Sequence, residues 1–142
     1  MTDYDDSNIF AKILRGELPS HKVYEDEATL AIMDIMPRTD GHCLVIPKAA
    51  SRNILDIAAG DLAALMAAVQ KVAIAAKQAF TADGLTIQHF CEPAGGQVVF
   101  HTHVHILPRF DGRPLRPHTG EMAPTETIRA HADKLRRALG TG

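Results

Sequence analysis

The chain has 142 residues, of which 46% are hydrophobic and 23% are charged, and its formal net charge is -2. That length suits one domain with a sizeable core, and the small negative charge argues against bulk binding to nucleic acid or to a membrane surface. The N-terminus is acidic and has no apolar signal segment, and no apolar run is long enough to span a bilayer. We therefore expect a cytoplasmic protein.

The two cysteines lie in separate apolar stretches that are typical of strands. Cys43 and Cys91 do not form a CxxC pair, which argues against a zinc ribbon or a redox motif. We expect buried thiols rather than a disulfide.

The N-terminal part predicts one short helix followed by a hairpin. Apolar residues at helical spacing indicate a helix over residues 9–14. Two strands, over residues 21–25 and 29–35, flank the polar pair Asp26-Glu27, which suits a hairpin turn.

A third strand is predicted over residues 42–46. Two residues near the link between the second and third strands, Asp34 and His42, could contact a ligand. Asp34 stands at the exit of the second strand, where its carboxylate could accept hydrogen bonds from ligand hydroxyls or cap the turn, and the pattern does not separate these roles. His42 could join a group of imidazoles, although taken alone it is better explained as a histidine bonded to the backbone.

The second half predicts a long helix, two strands and a final helix. The long helix covers residues 61–80, with an apolar stripe that suits the core or a subunit interface. The stripe consists of Leu62, Leu65, Met66, Val69, Val72, Ala73 and Ala76. Gly84 helps to end this helix, and a fourth strand follows over residues 85–90.

After Pro108 the chain predicts a loop or extended arm over residues 109–123, and then a helix that opens at residues 124–126. The apolar side of that helix consists of Ile128, Ala132, Leu135 and Leu139. Strands followed mainly by helices, with short links, indicate an α+β fold with an antiparallel sheet.

Three histidines alternate with strand-forming residues at His101, His103 and His105, within residues 98–108. A strand over this stretch would place the three imidazoles on one face, about 6–7 Å apart. The other face, which we expect to pack into the core, consists of Phe100, Thr102, Val104 and Ile106. Pro108 should end the strand, because it cannot donate to a ladder.

A glycine loop precedes the histidines. Gly95 and Gly96 would let the backbone approach a ligand and turn its N–H groups toward phosphate oxygens. The loop leads into a predicted strand rather than a helix and lacks a Lys-Ser/Thr pair, so it is not a P-loop.

The stretch from His101 to Pro108 resembles the signature of the histidine triad superfamily. The upstream segments 8–13, 24–26, 33–37 and 41–48 are similar to that family's N-terminal half in order and spacing, so the resemblance runs from about Asn8 to Arg109. It implies an α+β fold with a five-stranded antiparallel sheet and two main helices in one domain, extended after about residue 109 by the loop and final helix. It also implies a homodimer.

The activity that the resemblance implies is hydrolysis or transfer at the α-phosphate of a purine nucleotide, without metal or other cofactor, releasing a nucleoside monophosphate such as AMP. His103 would be the nucleophile and form a nucleotidyl-histidine, His101 and His105 would orient it, and His42 would belong to the same cluster. Asp34 would hold the ribose. The base pocket would be lined by Ile9, Phe10, Ile13, Ile35 and Leu44. Phosphate would be held by the backbone N–H groups of Gly96, Gln97 and Val98.

The chain departs from the family pattern in three places. Some members bind structural zinc at positions that here hold Asn8, Ala11 and Ala50, so we predict no structural zinc. The amide that the family often carries ahead of the glycine loop is replaced by Phe90 and Cys91, with His89 or Gln97 as candidate substitutes, and a common hydroxyl is replaced by Val98.

The third triad position favours a hydrolase over a transferase, since the uridylyltransferase branch has Gln where this chain has His105. A nucleoside phosphoramidate and a dinucleoside polyphosphate both remain candidate substrates. One alternative is a nucleotide-binding protein with little catalysis. Another is a metalloenzyme that uses triad histidines with His42 or His89.

The arm after the triad carries three arginines that could reach substrate phosphates. They are Arg109, Arg113 and Arg116.

Overall fold

The structure, a computed structural model, describes residues 3–117 and 121–140. Five antiparallel strands form one sheet in the order β1-β2-β3-β5-β4. The strands are β1 (Lys22–Glu25), β2 (Thr29–Met33), β3 (Cys43–Pro47), β4 (Gly84–Gln88) and β5 (Val104–Arg109). The predicted α+β class and the five-stranded antiparallel sheet are confirmed.

The predicted helices are also present. They are α1 (Ile9–Leu14), α2 (Ala59–Ala79) and α3 (Thr125–Leu139). Helix α1 begins where Asn8 accepts a hydrogen bond from the backbone N–H of Ala11, at 2.9 Å, which satisfies one of the unpaired amides of the first turn. A single turn of 3₁₀ helix, Pro93–Gly95, lies inside the glycine loop.

The sheet is covered on both faces, which explains why β2 and β3 show no alternation of apolar and polar residues. Helices α2 and α3 pack on one face, and the buried core there includes Val45, Val72 and Leu135. On the other face Phe10 of α1 packs against Leu44 and neighbouring apolar residues. His105 pairs with Leu44 across β3 and β5, so its side chain lies on the α1 face.

The histidine stretch is a strand only in its second half. Strand β5 begins at Val104, so the expectation of a strand from residue 98 is wrong, and so is the expectation that Pro108 ends it. Thr102 donates its N–H to Ser51, which draws the preceding chain away from the sheet. Pro108 is tolerated because β3 pairs with β5 only as far as Ile106, leaving β5 a single neighbour beyond that point.

Helix α2 is long and apolar enough, by length and composition alone, to cross a membrane, so the expectation that no apolar run could do so is wrong. Core helices of soluble proteins meet the same criterion. The face that carries Leu65, Val69 and Val72 is buried, and the helix contacts β3, β5 and α3, as the predicted stripe requires. Met66, predicted on the stripe, is 44% exposed.

Both cysteines are free thiols: Cys43 is buried in β3, and Cys91 is half-buried. The C-terminal arm returns to the body of the protein, since the backbone N–H of Arg116 donates to the carbonyl of Arg38 at 2.8 Å. The part of the predicted arm at residues 118–120 lies outside the described residues.

Candidate active site

Four histidines come together on the α1 face of the sheet. His105 projects from β5, and His42 lies directly before β3, with their ring centroids 5.2 Å apart. The ring of His103 lies 5.1 Å from that of His105. His101 and His103 are buried, although they precede β5 and are therefore not aligned by strand alternation. The structure thus brings the predicted cluster together, His42 included.

Thr102 is the residue that holds this irregular segment. Its N–H donates to the carbonyl of Ser51 at 2.9 Å, and its hydroxyl lies 2.6 Å from that of Ser51. Thr102 therefore points into the protein while His101 and His103 turn toward the site on either side of it.

The proton of His101 is placed by a backbone carbonyl. A carbonyl can only accept, so Nε2, which is 2.8 Å from the carbonyl oxygen of Pro47, carries the hydrogen. In the neutral ring Nδ1 must then accept, and the hydroxyl of Tyr4 lies 2.6 Å from it.

His103 is arranged in the opposite sense. Its Nδ1 donates to the carbonyl of His101 at 2.6 Å, which leaves the lone pair on Nε2. Among the described residues Nε2 has no hydrogen-bond partner. An imidazole whose Nδ1 is held by a carbonyl and whose Nε2 has a free lone pair is prepared to act as a nucleophile.

The tautomer of His105 is determined by its hydrogen bond with His42. The N–H of Arg38 donates to Nδ1 of His42 at 3.1 Å, so the hydrogen of neutral His42 lies on Nε2. That nitrogen is 2.9 Å from Nδ1 of His105, which accepts, and the hydrogen of His105 therefore lies on Nε2. In this arrangement Nε2 of His105 is a hydrogen-bond donor, whereas Nε2 of His103 offers a lone pair.

Burial keeps the nucleophile candidate neutral. Loss of solvation lowers the pKa of His103 to about 4, and nearby His89 and His101 act in the same direction against a smaller opposing effect of the hydrogen bond to His101 and the charge of Asp34. Burial also lowers the pKa of His101. Both rings are therefore uncharged at neutral pH.

Asp34 performs the capping role, which is one of the two that the sequence left open. One carboxylate oxygen accepts the N–H of Met36 at 2.8 Å and caps the turn after β2. The other lies 3.4 Å from Nε2 of His42, on the edge of the cluster.

The apolar residues predicted to line a base pocket divide into two groups. Phe10 and Leu44 are buried together with half-buried Ile13 beside them, and the Phe10 ring lies 4.9 Å from the ring of His103. Ile9 and Ile35 are 48% and 40% exposed. The first group supports the site, and the second is open to a ligand.

The glycine loop does not present the amides that we expected. The N–H of Gly96 donates to Pro93 and that of Gln97 to Glu92, at 3.0 and 3.1 Å, so these two groups hold the turn. The N–H of Val98 has no hydrogen-bond partner within the described parts of the chain. Val98 is therefore the member of the predicted set whose amide is available to an anion, and its side chain is 80% exposed.

Gln97 is a structural residue. Its buried amide accepts from the N–H of Glu92 and from Asn53, and donates to the carbonyls of Arg52 and Val99, over distances of 2.7–3.0 Å. Gln97 therefore has no remaining capacity to replace the missing amide of the family.

A network that the sequence did not reveal fixes the same loop. Arg52 forms a bidentate ion pair with Glu92, and Asn53, fully buried, donates to the same carboxylate at 2.7 Å. Glu92 has a positive φ of 66°, which this network must hold. No spacing signal connects residues 51–53 with residues 92–97, because the two segments meet only in the fold.

The metalloenzyme alternative is disfavoured by the donor set. Asp34, His42 and His105 each place one ligand atom within 4.8 Å of the others. Yet a metal would need the lone pair of His42 Nε2, and the N–H of Arg38 fixes the hydrogen there. His89 is also committed, since its Nδ1 donates to the carbonyl of His103 and its Nε2 accepts from Ile54.

The three arginines of the C-terminal arm are engaged away from the histidines. Arg109 donates to Thr86 at 3.0 Å, Arg113 stacks over the ring of Phe110, and Arg116 pairs with Asp40 at 2.5 Å. Each guanidinium group thus has a partner other than the four histidines of the cluster, and these contacts do not support the hypothesis that the arginines reach substrate phosphates.

Phe90, which stands at a sequence position where the resemblance implies an amide, lies beside the cluster. Its ring lies 5.8 Å from that of His105 and packs against Gly96. The surroundings of His105 are therefore more apolar than the family pattern implies.

Comparison with known proteins shows the family and the fold of this chain. The family model "HIT domain" matches residues 15–112. A HIT-like protein from Bartonella henselae has 49% sequence identity and a TM-score of 0.90, over 96% of this chain and 99% of that one. A hypothetical histidine triad nucleotide-binding protein from Sulfolobus tokodaii has 34% identity and a TM-score of 0.84, over 91% and 89%.

One similar protein carries a named activity. The adenylylsulfatase HINT3 of Arabidopsis thaliana is 35% identical over 127 residues, which is 89% of this chain and 61% of that protein. Proteins of this family bind nucleotides or hydrolyse them. With a matching family model, a shared fold and the clustered histidines of the signature, the chain belongs to the HIT family.

Proposed function

We propose that this protein is a nucleotide hydrolase in which Nε2 of His103 attacks the α-phosphate and forms a nucleotidyl-histidine. The observation that carries the proposal is the free Nε2 lone pair on a buried neutral imidazole, whose Nδ1 donates to a carbonyl. When Nε2 bonds to phosphorus the ring becomes cationic, and the carbonyl of His101 stabilises that charge through the same hydrogen bond.

The leaving group departs with a proton. As the bond from Nε2 of His103 to phosphorus forms, the bond from phosphorus to the leaving nitrogen or oxygen breaks, and Nε2–H of His105 donates a hydrogen bond to the leaving atom. The proton that the leaving atom takes up comes from a water molecule, because neutral His105 would become an imidazolate if it gave up its own. The hydroxide left from that water then attacks the phosphorus, breaks the bond to Nε2 of His103 and releases a nucleoside monophosphate. The N–H of Val98 is suited to hold a phosphate oxygen during both steps.

The remaining residues of the site suit a purine nucleotide such as one that yields AMP. We assign the ribose hydroxyls to the second oxygen of Asp34, at the edge of the cluster, and the base to the apolar surface of exposed Ile9 and Ile35. A nucleoside phosphoramidate and a dinucleoside polyphosphate are the candidate substrates. The name of the related plant adenylylsulfatase adds an adenylyl sulfate as a third.

We include a homodimer in this proposal. Strand β4 is an edge of the sheet, and edges with exposed apolar residues are commonly covered. Ile87 of β4 and Met66 of α2 are 43% and 44% exposed, and both line an apolar cleft of about 170 Å³. A second copy joined at β4 would extend the sheet and cover this cleft.

A second candidate is a nucleotide-binding protein with little turnover. Two observations favour it: Phe90 packs against His105, and most of the glycine loop's amides are used within the loop. A polar leaving group would find few partners there.

The test is turnover of adenosine 5′-phosphoramidate, diadenosine polyphosphate and adenylyl sulfate by metal-free protein. We expect wild type to cleave at least one of them, and His103→Ala to bind AMP while losing turnover by at least about 1,000-fold, because the covalent route is gone. His21→Ala is the matched control, since His21 lies outside the cluster, and it should retain wild-type turnover. Binding of AMP with no cleavage of any substrate by wild type would select the second candidate.

A further inference from the structure

The N-terminal segment reaches the histidine cluster through Tyr4. Its hydroxyl is 2.6 Å from Nδ1 of His101, a residue 97 positions away, and the two rings pack edge to face with centroids 5.7 Å apart. Neither the helix nor the strand signals of the sequence draw attention to this residue.

The direction of this hydrogen bond is fixed by its surroundings. The carbonyl of Pro47 takes the hydrogen on Nε2 of His101, so Nδ1 must accept and Tyr4 must donate. Burial raises the pKa of Tyr4, and the phenol therefore keeps its hydrogen at neutral pH.

We propose that Tyr4 is a positioning residue for the nucleophile. Together with Pro47 it holds both nitrogens of the His101 ring, and residue 101 in turn supplies the carbonyl that fixes Nδ1–H of His103. Without the phenol, His101 has one anchor, and its buried Nδ1 is left without a donor. This role rests on the proposed function of His103.

Asn8 connects the same hydrogen bond to α1. Its Nδ2 donates to the Tyr4 hydroxyl at 3.0 Å, while its Oδ1 caps the helix that places Phe10 against His103. The hydroxyl of Tyr4 thus joins the apolar base side of the site to the histidine that orients the nucleophile.

Tyr4→Phe tests the proposal, with Tyr24→Phe as the matched control. Tyr24 is the other tyrosine, and its hydroxyl donates to Asp26 at the β1–β2 turn. We expect Tyr4→Phe to lower kcat about 3- to 10-fold, the effect of one neutral hydrogen bond, with KM changed less than about twofold. The ¹⁵N resonance of His101 Nδ1 should move toward that of an imidazole nitrogen without a hydrogen bond, and Tyr24→Phe should change none of these.

A second variant changes the hydrogen bonding of the Tyr4 hydroxyl and keeps the cap of α1. Asn8→Asp keeps an oxygen to cap α1 but replaces the N–H donor with an acceptor that competes for the Tyr4 hydrogen. We expect the same loss of kcat and the same NMR change as in Tyr4→Phe.

Three outcomes would overturn the proposal: an unchanged kcat in Tyr4→Phe, a rise in KM alone, or an unmoved His101 resonance. If wild type cleaves no nucleotide, the proposed function fails and the positioning role fails with it. The NMR experiment would still report separately whether the hydrogen bond forms, so the two failures are distinguishable.

Discussion

The chemistry at His103 depends on which nitrogen carries a proton and on whether the ring is charged. The carbonyl of His101 holds the proton on Nδ1 of His103. Burial keeps the ring uncharged at neutral pH, because it lowers the pKa of His103 to about 4. A nucleophile must be deprotonated, so activity should be lost only when the pH falls through that value.

The pH profile of kcat/KM tests this at the residue scale. With a diadenosine polyphosphate as substrate, we expect kcat/KM to be nearly constant from pH 7 to pH 5 and to fall as the pH approaches 4, since kcat/KM reports the free enzyme. Circular dichroism over the same range is the control for folding. A half-maximal value near pH 6.5, the ordinary pKa of histidine, would contradict the burial argument.

The sequence identified the histidines but not their tautomers. Alternation singled out His101, His103 and His105, and the resemblance added His42. The atoms that fix the protons are backbone groups of Pro47, His101 and Arg38, and one of these lies 54 residues from its partner. Such contacts follow from tertiary packing, which no local pattern records.

At the scale of elements, the glycine loop is the part of the site where the backbone has positive φ angles, at Glu92 and Gly96. Gly96 has a φ of 98°, and a Cβ there would lie 3.2 Å from the ring of Phe90, whereas a Cβ on Gly95 would meet nothing within 4 Å. Position 96 therefore requires glycine for its φ and has little room for a side chain, whereas position 95 has room for one.

Gly96→Ala and Gly95→Ala test this difference. We expect Gly96→Ala to lower the free energy of unfolding by about 1–3 kcal/mol, because an L-residue at this φ is strained, and to lower kcat by moving the loop that carries Val98. Gly95→Ala should change both little. Denaturant unfolding and steady-state kinetics are the measurements, and equal stability of the two variants would refute the strain argument.

Elements with strong local signals were predicted well. Helix α1 matches its predicted bounds because Asn8 caps it and an apolar pattern defines it. The start of β5 was missed because Ser51 competes for the N–H of Thr102. Residues 98–103 favour a strand by composition, and a tertiary hydrogen bond overrides that preference.

At the scale of the whole molecule, the proposed dimer interface is the edge strand β4. We expect wild type to be a dimer and the Ile87→Lys variant to be a monomer. A lysine at position 87 would be buried in the proposed interface, and the free energy of burying its charge would exceed the free energy gained from the contact. Leu18→Lys is the control, because Leu18 is similarly exposed but follows α1.

Light scattering after size exclusion gives the mass directly. A monomeric wild type, or an Ile87→Lys variant that remains a dimer, would show that β4 is not the interface.

The most direct test of the central claim is to find the nucleotidyl group on the enzyme. Protein mixed with labelled adenosine 5′-phosphoramidate, quenched in alkali and digested, is examined by mass spectrometry. We expect the adenylyl group on His103 of wild type and no adduct in His103→Ala. An adduct on another residue, or turnover by His103→Ala at the wild-type rate, would contradict the assignment of His103 as the nucleophile.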